Sequence, residues 1–399
     1  MNILLAADVS IKNLLGGAEQ GLYQEALFMV KKGHKVWILT RRLPEHTSSD
    51  EIIYGIHEYR YSVNTRNSIA FLLSTIFNAQ KLYKQLTLET KFDVINFHQP
   101  FVAFAINLLS EVKNILKIYT CHSLSFEEYI SRAANKNSIG FTFNVILRKF
   151  IEKFSLDKAN KIIVLSRYTK DKLMNTYRVF ENKIVIIPSG VNIEHFKPAI
   201  DKISLRREMN LAQEPLTLFT VRNLVARMGL ENLIKTIPLL QNKGVCVQLF
   251  IGGQGMLKEK LQALINELGL QDCVWLCGFI SDYSLVKYYQ MADFFILPTT
   301  ELEGFGLVTI EAMSCGTAVL ATPIGGTIEI LSGFNPEFLF KDTSPEAMAE
   351  LIFEKYSYYK GKPDEFKKLS LDVRGFVEMN YSWENNAGNV ESLFKKLSD

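Results

Sequence analysis

Short all-apolar runs alternate along the chain with longer stretches in which apolar residues recur every third or fourth position. The runs predict strands over residues 3–7, 35–40, 94–97, 115–120, 162–165 and 184–187 in the first half, and over 216–221, 245–251, 274–277, 294–297 and 318–321 in the second. The stretches between them predict helices. One of these, over 18–32, follows the first strand and is stopped by Gly33. Short strands that are apolar on both faces and separated by helices belong to parallel sheets covered on both sides. The alternation runs twice, broken between residues 188 and 215 by Pro188, Gly190, Pro198, Pro215 and a polar run over 201–210. The sequence therefore predicts an α/β chain of two doubly wound domains with a boundary near residue 190. Ligands of such sheets bind beyond the carboxyl ends of the strands, so the expected site is a cleft between facing domains. A last amphipathic stretch over 383–397 predicts a closing helix.

Composition narrows the class. Of 399 residues, 48% are apolar, enough for two cores, and the net charge of +3 makes nucleic acid an unexpected partner. Five cysteines, Cys121, Cys246, Cys273, Cys277 and Cys315, are scattered without the paired spacing of a zinc site and read as reduced thiols. The chain opens directly into a strand pattern, and no apolar run reaches the ~18 residues that span a bilayer. The expectation is a cytoplasmic protein, at most peripheral to the inner face of the membrane. Two stretches, 141–154 and more weakly 70–86, interleave aromatic and basic residues in a helical pattern. Each is either a helix lying on an anionic membrane or an ordinary core helix with a solvated basic side.

The densest chemistry lies over residues 297–329, LPTTELEGFGLVTIEAMSCGTAVLATPIGGTIE. Glu303 and Glu311 bracket seven residues that include Gly304-Phe305-Gly306, and Gly325-Gly326 follows a predicted strand. Glycines let backbone N–H groups approach a sugar or phosphate, and a carboxylate accepts both hydroxyls of a diol such as ribose. Gly16-Gly17 opens the first helix, where an anion could sit on free N–H groups; a plain capping turn is the alternative. His98 and His122 each follow a predicted strand, as ligands for a sugar hydroxyl or as structural histidines. His34, His46, His57 and His195 read as turn or surface residues. Arg222 and Arg227 span a strand-to-helix loop, the right spacing and charge for a diphosphate leaving group. Gly253 follows another strand and could shape the wall under a nucleotide. With no Asp-x-Asp pair and no ligand cluster, the expectation is no metal and no cofactor.

These strings together resemble the retaining, nucleotide-sugar-dependent glycosyltransferases of the GT-B fold, family four. The resemblance rests on IPSGVNIEHFKP, the Glu303-x7-Glu311 pair, ATPIGGTIE, the closing Tyr381-Ser382-Trp383 and Gly16-Gly17-x-Glu19. It implies two Rossmann-like domains. Residues 1–190, joined by the helix over 381–399, would bind the acceptor, and residues 191–380 the nucleotide sugar. By position, Glu311 would take the ribose hydroxyls, and Glu303 would lie at the donor sugar. The N–H groups around Gly304, Phe305, Gly306 and Leu307 would hold sugar and phosphate, Gly17 would approach the diphosphate, and His122 would touch the sugar near its anomeric carbon. One departure stands out. Where the family has G-R-L-x-x-x-K-G, this chain has Asn223 for the arginine and Met228 for the lysine, with Arg222 and Arg227 each one residue earlier. The expected activity is retaining transfer of a sugar, from a UDP-sugar or a GDP- or ADP-sugar, to a hydroxyl of a glycan or lipid-linked acceptor in bacterial surface polysaccharide or glycolipid synthesis. The alternatives are a catalytically weak nucleotide-sugar-binding partner of a transferase, or an epimerase or phosphorylase of the same fold.

Overall fold

A computed structural model describes residues 1–12, 16–44, 46–132 and 138–398, in which the chain divides into two units. The first is Met1–Ser189 together with Trp383–Asp399, and the second is Gly190–Ser382. The closing helix, Trp383–Ser398, thus belongs to the first unit, and Asp399 lies outside the described residues.

The first unit is built on eight strands: β1 (Asn2–Ala6), β2 (Lys35–Arg41), β3 (Asp50–Ile53), β4 (Ile56–Tyr61), β5 (Val94–Phe97), β6 (Leu116–Cys121), β7 (Lys161–Val164) and β8 (Ile184–Ile186). Their order across the sheet is β3-β4-β2-β1-β5-β6-β7-β8, and all pairings are parallel except β3 with β4. Side chains of a strand alternate between faces, so β1 supplies both cores. Leu4 and Ala6 join the cluster with Val102, Ile106 and Leu156. Ile3 and Leu5 join the other, with Leu22, Ala26 and Met29 of the helix Gly17–Lys31 and Val390 and Phe394 of the closing helix.

β3 and β4 escape the apolar-run reading, for a reason visible in the core. Glu58 of β4 is fully buried and accepts from the hydroxyls of Ser10 (3.0 Å) and Thr40 (2.8 Å) and the N–H of Ile11 (3.1 Å), while Arg60 Nε donates to it at 2.8 Å. A buried carboxylate survives only when paired and hydrogen-bonded, and this one is both. The hairpin closes through Tyr54 and Gly55, both at positive φ (51° and 81°), the geometry that suits a two-residue turn between twisted strands.

The second unit holds five parallel strands, β9 (Leu216–Val221), β10 (Val247–Gly252), β11 (Val274–Gly278), β12 (Phe294–Leu297) and β13 (Ala318–Ala321), in the order β11-β10-β9-β12-β13. Arg374 ties the start of this unit down by donating to the carbonyls of Ile193 (2.9 Å), Phe196 (2.6 Å) and Ser314 (2.9 Å). All five cysteines are free, Cys121 and Cys315 buried and Cys246 exposed.

Phe394 has no exposed surface although it lies near the chain's end. Phe394→Ala should cost about 3–5 kcal/mol of stability in denaturant unfolding followed by a probe in the first unit. The exposed neighbour Lys396→Ala should stay within about 0.5 kcal/mol of the parent.

Candidate active site

In the second unit, three strand ends are laced together by glycines that face the chain's own backbone. Past β12, Leu302 takes a left-handed conformation (φ 58°), and its carbonyl accepts from Arg227 Nη1 at 3.0 Å. The carbonyl of Arg227 accepts in turn from the N–H of Thr300 at 2.8 Å. Past β13, the N–H of Gly326 donates to the carbonyl of Glu303 at 2.9 Å. A Cβ on Gly325 would sit 1.9 Å from that carbonyl oxygen, and one on Gly326 would sit 2.5 Å from the Gly304 oxygen. Past β10, a Cβ on Gly253 would sit 1.8 Å from the carbonyl oxygen of Arg222. Gly306 caps the helix Leu307–Ser314 at φ 94°, and a Cβ there would meet Thr327 Oγ1 at 2.4 Å. Phe305 is buried with its ring against Tyr381, anchoring the loop from inside.

The side chains this scaffold presents form a charged cluster. Arg222 Nη2 donates to Glu303 Oε2 with both side chains mostly buried, and Thr299 Oγ1 donates to the same oxygen at 3.2 Å. Met228, where the resemblance would put a lysine, turns its sulfur to the Arg222 guanidinium, 3.2 Å from Nε and 3.0 Å from Nη2. A lysine there would set two cations against each other; the thioether seats one. Asn223 is exposed. Arg227 braces the loop through Leu302, and its Nε is buried without a partner among the described residues. Glu311, on the helix after Gly306, accepts from the Tyr289 hydroxyl at 2.8 Å. Burial pushes its carboxyl up to about 7; the Tyr289 bond pulls it back, Asp282 raises it again and Arg222 lowers it. Arg222 thus acts electrostatically on both glutamates.

In the first unit, Gly16 caps the first helix, and Glu19 folds back over it: a Cβ on Gly16 would lie 2.7 Å from Glu19 Oε2. Gly17 is the first residue of that helix. His98 and His122 sit just beyond β5 and β6 and meet each other, His98 Nδ1 to His122 Nε2 at 3.0 Å, with rings stacked at 5.3 Å. His98 is buried, whereas His122 keeps partial exposure and lines a cavity with Gly21, Glu25, Ser189, Trp383 and Asn386. Burial lowers both histidines, His122 to about 4.

Sequence reasoning missed Glu25, Asn96, Tyr289 and Thr299. Glu25 had a signal, because it falls on the same helix stripe as the buried Leu22, Ala26 and Met29. His46, expected at the surface, is buried and accepts from the Leu43 N–H through Nδ1 at 3.0 Å. Among the described residues, no three His, Cys, Asp or Glu side chains gather as a metal-ligand group.

Residues 15–195 match the family described as Glycosyltransferase Family 4, and residues 201–367 match Glycosyl transferases group 1. The chain belongs to this glycosyltransferase family. Among the relatives of this family-four chain is the gpi3 component of phosphatidylinositol N-acetylglucosaminyltransferase from Schizosaccharomyces pombe, 22% identical over 96% of this chain and 78% of that protein. Sucrose-phosphate synthase from Thermosynechococcus elongatus superposes with a TM-score of 0.81 at 22% identity, covering 100% of this chain and 99% of that one. Anabaena HepE, solved in complex with UDP and glucose, does so with a TM-score of 0.75 at 18% identity, covering 99% and 100%. These likenesses give the glycosyltransferase the two Rossmann-like, parallel-sheet units of the GT-B fold.

The raised carboxyl of Glu311 has a stability consequence. Its folded value lies above its unfolded one, so its contribution is full below the unfolded value of about 4.5 and is lost as pH rises through about 7. Glu311→Gln should therefore raise the melting temperature of the unliganded chain at about pH 8 and leave it unchanged at about pH 4, read by differential scanning calorimetry.

Proposed function

We propose that this chain is a retaining glycosyltransferase that moves a sugar from a nucleoside diphosphate sugar, a UDP-sugar first of all, to an acceptor hydroxyl. The observation that carries the reading is the cluster of Arg222, Glu303 and Glu311 at the carboxyl ends of the second sheet, seated by Met228, Thr299 and Tyr289. The HepE structure with UDP and glucose supports the choice of donor class.

In this reading Glu311 accepts the two ribose hydroxyls as a carboxylate, so donor binding drives off its proton. The N–H groups from Gly304 to Leu307 and the start of the helix after them receive the phosphates. Arg222 supplies the fixed positive charge that the departing diphosphate needs, and this makes the transfer independent of a divalent metal. Glu303 binds hydroxyls of the donor sugar, and His122 contacts the sugar near its anomeric carbon. The set offers no obvious back-face nucleophile, which favours a reading in which the leaving phosphate oxygen takes the acceptor proton as the new bond forms on the same face. Of the two departures that motivate the weak-partner reading, Asn223 and Met228, the second has a use in the active reading, because its sulfur seats Arg222.

The acceptor is proposed to be lipid-linked. Ile139, Phe143, Ile146 and Phe150 form one stripe along the helix Ile139–Lys158, and Ile69, Leu73 and Phe77 another along Ser68–Glu89; all seven are exposed. The inner faces of these two helices share a cluster with Phe101, Phe104 and Ile151, which leaves the outer stripes for something else. Lys149 and Lys153 lie beside the first stripe. No helix among the described residues is long and apolar enough to cross a membrane, so the contact would be peripheral. The name of the Schizosaccharomyces pombe relative, which specifies phosphatidylinositol, supports a lipid acceptor.

Two outcomes are expected. Glu311→Ala should weaken donor binding by roughly 10–100-fold with a smaller effect on kcat, while Glu303→Ala and His122→Ala should act chiefly on kcat. Steady-state kinetics with UDP-sugars, with and without EDTA, check this; equal effects on both parameters in all three, or loss of turnover in EDTA, would argue against the assignment. Flotation with vesicles rich in anionic lipid should retain the parent chain and lose a Phe143→Glu, Ile146→Glu, Phe150→Glu variant whose UDP affinity is unchanged.

A further inference from the structure

Behind His122 lies a row of buried polar groups that a sugar contact by itself does not require. His122 Nε2 meets His98 Nδ1 at 3.0 Å. His98 Nε2 lies 3.3 Å from Asn96 Nδ2 and 3.5 Å from Glu25 Oε2. Asn96 Nδ2 also donates to Glu25 Oε1 at 2.8 Å, and Asn96 Oδ1 accepts from Thr120 Oγ1 at 3.0 Å. Glu25, Asn96 and His98 are all buried. No hydrogen bond to His122 Nδ1 forms among the described residues, and a side chain at Gly21 would crowd that edge, its Cβ standing 3.1 Å from Cε1 and 3.9 Å from Nδ1. That ring edge is kept clear.

We propose that Glu25 is a positioning residue which, through His98, sets whether His122 offers an N–H or a bare nitrogen at Nδ1. The inference rests on the reading of His122 as a donor-sugar contact. Only one hydrogen fits between the two imidazoles, so their tautomers are linked. With Glu25 protonated, its O–H and the second N–H of Asn96 both point to His98 Nε2, which accepts. His98 then carries its hydrogen on Nδ1 and donates to His122 Nε2, and His122 is left with N–H at Nδ1. With Glu25 ionised, its charge draws the His98 hydrogen to Nε2 across 3.5 Å, against the Asn96 N–H that stands 3.3 Å away and keeps only its bond to Glu25 Oε1; His98 Nδ1 then accepts from His122 Nε2–H, and His122 Nδ1 is bare. The change from the first state to the second balances as three short steps. The Glu25 proton passes to His98 Nε2, the His98 Nδ1 proton passes to His122 Nε2, and the His122 Nδ1 proton leaves to solvent or ligand.

Both histidines are kept neutral by burial, so tautomerism is the freedom left to them. Burial raises Glu25 to about 7, only partly offset by the Asn96 bond, so both of its states are reached near neutral pH. The residues that line this cavity come from the first helix, the ends of the central strands and the closing helix. Among those described, Glu25, His98 and His122 are its titratable members, and no lysine or arginine lines it.

The test is made on the free, full chain labelled with 15N-histidine, and so does not depend on knowing donor or acceptor. Long-range proton–nitrogen correlation distinguishes the two neutral tautomers, and His122→Gln assigns its signals. The parent should show His122 protonated at Nδ1 near pH 5.5 and at Nε2 near pH 8.5, roughly one and a half units either side of the midpoint. Glu25→Gln, whose amide can donate to His98 Nε2 at every pH, should hold the Nδ1–H form throughout. A single His122 tautomer at both pH values in the parent, or a switch that persists in Glu25→Gln, would overturn the proposal. With an active donor–acceptor pair, kcat should carry an inflection near pH 7 that Glu25→Gln removes, a change of roughly tenfold, while the inflection that Glu311 places on donor KM remains. Loss of activity with the tautomer switch intact would instead count against the role given to His122.

Discussion

The second unit depends on a backbone contact in which no side chain takes part. The turn at Gly325 and Gly326 lies so close under Glu303 and Gly304 that a Cβ at either glycine would overlap a carbonyl oxygen of the neighbouring loop. That contact, the bond from Gly326 N–H to Glu303 O, and the left-handed Leu302 fix the direction in which Glu303 leaves the chain. Leu302 costs of order 1–2 kcal/mol for its conformation, and the bond from Arg227 to its carbonyl holds it there. Gly253 lets a third strand end approach Arg222 in the same way. Glycines in such motifs are readily read as openings for a phosphate. Here several of them are occupied by the protein's own main chain, and the room for a ligand lies beyond them.

Both units also hold carboxyl groups in places that oppose their ionisation. Glu311 in one and Glu25 and Glu152 in the other are each raised to about 7, in every case first by burial. Glu152 is tied to the Ser125 N–H and the Tyr177 hydroxyl and serves the fold. Glu311 and Glu25 stand beside groups with a use for charge or its absence. Desolvated acids weaken the unliganded fold at neutral pH, and their retention is understandable where a ligand restores what burial removes.

Much of this was legible in the sequence. The five strands of the second sheet, six of the eight in the first and the Glu303–Glu311 spacing follow from apolar runs and glycine placement. β3 and β4 did not, because Glu58 and Arg60 point inward and their partners, Ser10, Ile11 and Thr40, are distant in sequence. The placement of Arg222 was legible only in part. Its charge and register could be seen, but the seat provided by the Met228 sulfur is a tertiary contact with no sequence signal. His98 and His122 could each be suspected singly; that they touch is decided by the neighbouring parallel strands β5 and β6, which bring residues 24 apart to 3.0 Å. Glu25 looks like a surface acid until its helix stripe is compared with its burial.

The closing helix carries a consequence for how the chain is made. Leu22, Ala26 and Met29 are covered in part by Val390 and Phe394, which are synthesised after the whole of the second unit. The first unit therefore emerges from the ribosome with one face of its sheet layer unfinished, and it stays so while the whole second unit is translated, a delay of tens of seconds at ~5–20 residues per second. The usual order, in which an N-terminal domain completes itself first, is closed to this protein. Its second unit, continuous in sequence, can be finished before its first, and the nascent chain must keep an apolar surface from other partners until the sixteen-residue helix Trp383–Ser398 arrives.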